Sequence, residues 1–174
     1  MQKRVLLALV LAAAAATFVR GAKEFTYVGS SACKLCHKSK LQGAQYVIWE
    51  QSLHAKSFAN LSSAKAAEIG KAAGVTDPAT NAQCLGCHAP LAAKAPDLKA
   101  EGVTCEVCHG PGSDYRKLNI MQDRAKAAQN GLILFNGDRS AIQAHCLQCH
   151  QNPHGVPFDF AAGWDKIKHP VPVK

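Results

Sequence analysis

Gly102-Val103-Thr104-Cys105-Glu106-Val107-Cys108-His109-Gly110-Pro111-Gly112 decides how the rest of the chain is read. It holds two cysteines three residues apart, a histidine directly after the second, and a glycine-proline turn that stops the segment. The Cys-x-x-Cys-His part recurs as Cys33-Lys34-Leu35-Cys36-His37, Cys84-Leu85-Gly86-Cys87-His88 and Cys146-Leu147-Gln148-Cys149-His150, so the four copies use all eight cysteines. Residues i, i+3 and i+4 share one face of a helix. Each copy therefore presents two thiols and an imidazole on one side of a single turn. The thiols add to the two vinyl groups of a haem, and the histidine binds the iron axially from beneath the ring.

Two other uses of eight cysteines compete with this reading. Four disulfides would suit an exported chain, and pairs of Cys-x-x-Cys could form four-thiolate zinc sites. Neither requires a histidine after every pair, and all four pairs have one. The implied cofactors are four haem c groups. They are held covalently by Cys33, Cys36, Cys84, Cys87, Cys105, Cys108, Cys146 and Cys149, with His37, His88, His109 and His150 as proximal ligands.

Of the eight histidines, His54, His145, His154 and His169 remain, one for each proposed iron. That count points to bis-histidine coordination, which fills both axial sites and lowers the potential relative to a His/Met pair. His54 lies in a stretch with helical apolar spacing, Tyr46 to Leu61, which would aim its imidazole steadily. His169 follows a short amphipathic stretch, Phe158–Lys168. His145 directly precedes Cys146 and could reach a neighbouring haem more easily than its own, and His154 sits in the turn Asn152-Pro153-His154-Gly155. Met121, on a predicted helix over Ser113–Gln129, is the other candidate, although a methionine at helical spacing usually packs a core.

At the N-terminus, Lys3 and Arg4 precede a mostly apolar run from Val5 to Val19, the pattern of a cleaved secretory signal. The run is short for a membrane span. The expected organisation is a signal peptide over 1–22 and one domain over 23–174, periplasmic or extracellular, with no stable membrane span after cleavage. Removing Lys3, Arg4 and Arg20 lowers the formal charge from +8 to +5. Haem propionates would balance part of that excess. No basic stripe with interleaved aromatics suggests nucleic acid as a partner.

Aromatic residues make up only 6% of the chain. A domain of this size with so few large apolar side chains builds a poor core unaided, and buried porphyrins would supply the missing apolar surface. A second helix is expected over Ser63–Ala73, closed by Gly74, and another beginning at Gly137-Asp138. No strand pattern is sustained. The fold class expected is mainly α, with short helices and loops wrapped around four covalently attached haems and little or no sheet.

Three segments resemble the cytochrome c-554 family of multihaem c-type cytochromes. They are Tyr27-Val28-Gly29-Ser30, Trp49-x-x-Ser52-x-His54-Ala55-Lys56, and Gly102-Val103-x-Cys105-Glu106-x-Cys108-His109-Gly110-Pro111-Gly112. The resemblance implies a helical tetrahaem electron carrier with haems in stacked and angled pairs, and it favours His54 as a distal ligand. Family members can carry a ligating histidine just after the Gly-Pro-Gly turn, where this chain has none. One distal position is thus open to Met121 or to no ligand.

The function expected is electron transfer between redox proteins. Two alternatives follow from the same residues: a small reductase with one open haem iron, and a filament subunit in which His154 or His169 ligates a haem of the next copy.

Overall fold

A computed structural model describes residues 23–170, and the proposed signal peptide and the last four residues lie outside them. Among the described residues there are ten α-helices, two short 3-10 helices and no strand. The α-helices run Ser31–His37, Gln45–Gln51, Ser57–Asn60, Ala64–Ala72, Ala82–His88, Cys105–His109, Leu118–Met121, Arg124–Gln129, Arg139–Cys146 and Phe160–Ile167. None of the described helices is long and apolar enough to cross a membrane. The mainly helical class expected from the sequence holds.

Such short helices depend on their caps, because a large share of each one's backbone donors lies in its first turn. Asn81 accepts from the Gln83 and Cys84 amides, Thr104 from Glu106, Asp138 from Ser140 and Ala141, and Asp159 from Ala162. Ser63 caps Ala64–Ala72 through the Ala66 amide, as its sequence suggests. Ser30 also occupies a cap position, but its hydroxyl accepts instead from the Cys105 amide at 3.2 Å, tying the first motif to the third.

Two predicted helices are broken, each by a side chain that competes for backbone hydrogen bonds. The expected helix over Tyr46–Leu61 stops at Gln51 and resumes at Ser57. Ser52 is extended there, and its hydroxyl donates to the Trp49 carbonyl (2.7 Å) and accepts from the Ala55 amide (3.4 Å). His54 therefore sits in a turn rather than on a helix. The expected helix over Ser113–Gln129 becomes turns followed by Leu118–Met121 and Arg124–Gln129, because Asp123 caps the second piece through the Lys126 amide.

The apolar core is small. Tyr46, Leu61, Ala89, Leu91, Tyr115, Ala127 and Ile142 are the buried hydrophobic residues among those described. Polar groups supply much of the remaining order around the third motif, where Ser30, Thr104 and Glu106 are almost fully buried. The extended segment before Ser31 pairs with the turn after His109: Thr26 donates to the Ser113 hydroxyl, and the Ser113 amide donates to the Thr26 carbonyl, both at 3.1 Å.

Gly110 closes the third motif in a backbone region that only glycine occupies without strain, at φ 78 and ψ 175. A Cβ there would lie 2.3 Å from the Gly131 carbonyl oxygen. Gly110→Ala is expected to cost at least about 1–3 kcal/mol from the backbone conformation alone, read as a lower thermal midpoint with all haems retained.

Candidate haem-binding site

Each Cys-x-x-Cys-His copy forms one helical turn. Three copies lie within helices, and the fourth continues past the end of Arg139–Cys146, with the His150 amide donating to the Cys146 carbonyl at 3.0 Å. The spacing thus does locally what the sequence implies.

The thiols also approach one another between copies, and all eight are free. Cys33 and Cys105 lie near enough to influence each other, which raises the pKa of the first and lowers that of the second. Burial pushes the Cys149 thiol up to about 12, with Cys87 the next cause. Cys108 is raised to about 11 by burial and then by Cys146. The attachment points therefore form a connected series, with the first motif beside the third, the third beside the fourth and the fourth beside the second.

Three of the four motif histidines face a spare histidine. His54 and His150 have ring centroids 6.1 Å apart, His88 and His154 6.2 Å, and His109 and His169 5.9 Å. Metal–imidazole bonds are about 2.0–2.1 Å, so two imidazoles on opposite sides of one metal have centroids roughly 6.3 Å apart. Rings in direct contact sit closer, as Phe158 does when it stacks on His150 at 4.2 Å. The pairs have the spacing of trans ligands.

Two nitrogens do not fill a first-row coordination sphere, and no three His, Cys, Asp or Glu side chains among the described residues converge on a metal position. A planar macrocycle supplying four equatorial nitrogens completes such a sphere, and two adjacent thiols can tether it. The donor set fits haem better than zinc.

A ligand imidazole must be neutral, and its second nitrogen is normally held by an acceptor. Burial lowers the pKa of His109 to about 4, with His169, His37 and His145 adding to the shift. His54 and His150 are lowered too, chiefly by burial. His88 Nδ1 lies 3.0 Å from the Ser57 carbonyl, which only accepts, so Nδ1 carries the proton and Nε2 keeps the free lone pair. His37 Nδ1 lies 3.3 Å from Gln45 Oε1. That amide is oriented by its Nε2, which donates to the carbonyls of Gln42 and Pro170.

Ser57 ties the turn bearing His54 to two motifs. Its hydroxyl lies 2.7 Å from the carbonyls of both His54 and His88 and accepts from the Val103 amide at 3.1 Å. Val103 joins Trp49 to the same turn: its carbonyl accepts from the Trp49 indole N–H at 2.8 Å, while its amide donates to the His54 carbonyl at 3.0 Å. Gly102 permits this approach, since a Cβ there would stand 2.6 Å from the His54 carbonyl oxygen. The sequence singled out neither Ser57 nor Gln45, because a serine or glutamine in a polar stretch carries no distinguishing pattern.

His145 forms no ring pair with a second imidazole among the described residues, although it is near enough to His109 to add to its shift. The His145 ring meets Phe135 edge-on at 5.5 Å, and Met121 ends the four-residue helix Leu118–Met121. Among the described residues no ring pair joins His37 to a second imidazole.

A site of paired thiols and opposed imidazoles defines a c-type cytochrome. Residues 32–110, which span the first three motifs, match the family described as Cytochrome c554 and c-prime. It is also 27% identical over 167 residues to cytochrome c-554 of Nitrosomonas europaea, an alignment covering 86% of this chain and 69% of that protein. No solved structure matches the chain. The class expected from the motifs, a haem-bearing electron carrier of the c type, is the class of this family.

Proposed function

We propose that the protein is an exported tetrahaem cytochrome that passes electrons along four closely spaced haems between redox partners. The observation that carries this reading is the set of three imidazole pairs at 5.9–6.2 Å, each joining a motif histidine to a spare one. Bound haem supplies the redox chemistry, its iron alternating between ferric and ferrous states. The chain's own residues set geometry. His54, His154 and His169 serve as distal ligands opposite His150, His88 and His109, while Ser57 and Gln45 orient imidazoles from behind. The juxtaposed thiols of successive motifs support a route that runs first, third, fourth, second, with short steps throughout.

His154 and His169 face imidazoles of their own chain, which favours a complete internal ligand set over donation to a neighbouring copy. One observation favours a second reading: His37 has no imidazole opposite it among the described residues, so its iron is the candidate for an open or Met121-ligated site.

Haem stoichiometry and spin state test the proposal together. Peptide mass spectrometry is expected to find haem on all four Cys pairs. Electron paramagnetic resonance of the oxidised protein is expected to show at least three low-spin haems, with a high-spin fourth selecting the second reading. Fewer than four attached haems would remove the tetrahaem assignment.

A further inference from the structure

We propose that the first motif is the electron port of the molecule, a lysine-ringed surface on which an acidic electron-transfer protein docks. The inference rests on haem being attached at Cys33 and Cys36, and it adds where electrons cross the surface and what kind of partner delivers them.

The Ser31–His37 helix has no buried residue. Cys36 is exposed, whereas the other seven cysteines are only partly so. A thioether is covalently continuous with the porphyrin edge, so an exposed attachment sulfur brings the conjugated system close to the surface. The two residues between the cysteines project away from the face that holds the haem. Leu35 is 91% exposed there and Leu41, just beyond, 90% exposed.

The helix and the stretch after it contribute only positive charge to this apolar tip, while the nearby carboxylates lie behind it, Glu101 accepting from the Ser30 amide and Glu50 beside Tyr46. Lys38 and Lys40 are exposed, and Lys34 lies over the Tyr46 ring, 5.1 Å from its centroid. The chain has no Asp or Glu between Glu24 and Glu50. The ion pairs found among the described residues involve Lys23, Lys65, Lys117 and Lys168, none of these three. A small apolar centre within unpaired positive charge is complementary to an acidic partner whose own cofactor edge lies near its surface. Such complementarity acts mainly on encounter rate and orientation. The first motif also ends the connected series of attachment points, so an electron delivered there can pass inward to the third.

Reduced flavodoxin, an acidic flavoprotein, serves as the probe. One electron leaves its anionic flavin hydroquinone, giving the neutral semiquinone, and a ferric haem iron becomes ferrous; this chain makes and breaks no bond. Stopped-flow reduction of the four-haem protein is compared among the parent, K34E/K38E/K40E, and a control with the same charge change on other exposed lysines, K71E/K94E/K166E. The first triple is expected to slow the second-order rate at low ionic strength by about tenfold or more and to flatten its salt dependence, with the control within about twofold. A K38E/K40E double, which keeps the Lys34–Tyr46 contact, is expected to show a smaller change in the same direction.

Equal slowing by both triples, or by neither, would overturn the port. Binding to phosphatidylserine vesicles that requires the same three lysines, without an effect on flavodoxin, would reassign the face to a membrane and overturn it as well. Absence of haem from the peptide containing Cys33 and Cys36 would instead remove the underlying reading, and mass spectrometry of the parent separates that outcome from the others.

Discussion

Glu106→Gln is expected to destabilise the folded protein by roughly 3–5 kcal/mol, the size of the loss when one partner is removed from a buried charged network. Glu106 is 1% exposed, and its carboxylate accepts three backbone amides from two separate segments. Val28 donates to both oxygens at 3.0 Å, Gly29 to Oε2 at 2.7 Å and Gly112 to Oε1 at 2.7 Å. Hydrogen bonds to a charged acceptor contribute about 1.5–3 kcal/mol each. An amide side chain keeps one acceptor and turns an NH2 toward N–H donors already pointing at it, so at least one backbone amide is left buried and unpaired. For a domain of this size the loss corresponds to a fall in thermal midpoint of about 6–20 °C. Haem content and spin state should remain those of the parent, because Glu106 points away from the motif's cysteines and histidine. A midpoint within about 2 °C of the parent would show that the carboxylate does not hold these segments together.

His54→Ala is expected to convert one haem per molecule from six-coordinate low-spin to high-spin. The His54 ring centroid is 6.1 Å from that of His150, so on the proposed reading the two would hold one haem between them, and the turn that carries His54 is fixed by Ser52, Ser57 and Val103. The oxidised variant should gain one high-spin signal in electron paramagnetic resonance, and the reduced variant should bind one more equivalent of carbon monoxide than the parent. His145→Ala provides the contrast. Its ring packs edge-on against Phe135, so the spin count should not change. A parent-like spin count in the His54 variant, or a gain in the His145 variant, would reverse the ligand assignment.

These two residues show what could be read from the chain before its fold was known. Glu106 stood out within a distinctive segment, yet nothing local reveals that a carboxylate between two cysteines turns inward to collect amides from Val28, Gly29 and Gly112. His54 was legible as a candidate ligand through the apolar spacing around it and the resemblance of the Trp49-x-x-Ser52-x-His54-Ala55-Lys56 segment. Its setting was not: apolar spacing alone extended one helix through it, while the Ser52 hydroxyl had a better use for the backbone groups around it. Asp123 interrupts the second expected helix by the same competition.

The attachment chemistry lay in the sequence, because Cys-x-x-Cys-His needs only one helical turn, and one turn is a local object. The same is true of the caps at Ser63 and Asp138 and of the stop at Gly110, each set by a side chain or its absence within a few residues. The pairing of His54 with His150, His88 with His154 and His109 with His169 was decided only by the tertiary structure. So were the order in which the attachment points meet and the exposure of Cys36 alone among eight cysteines. Those features depend on the path the chain takes between motifs, and that path is set by contacts such as Ser57 to His88 and Glu106 to Gly29, which join residues far apart in sequence.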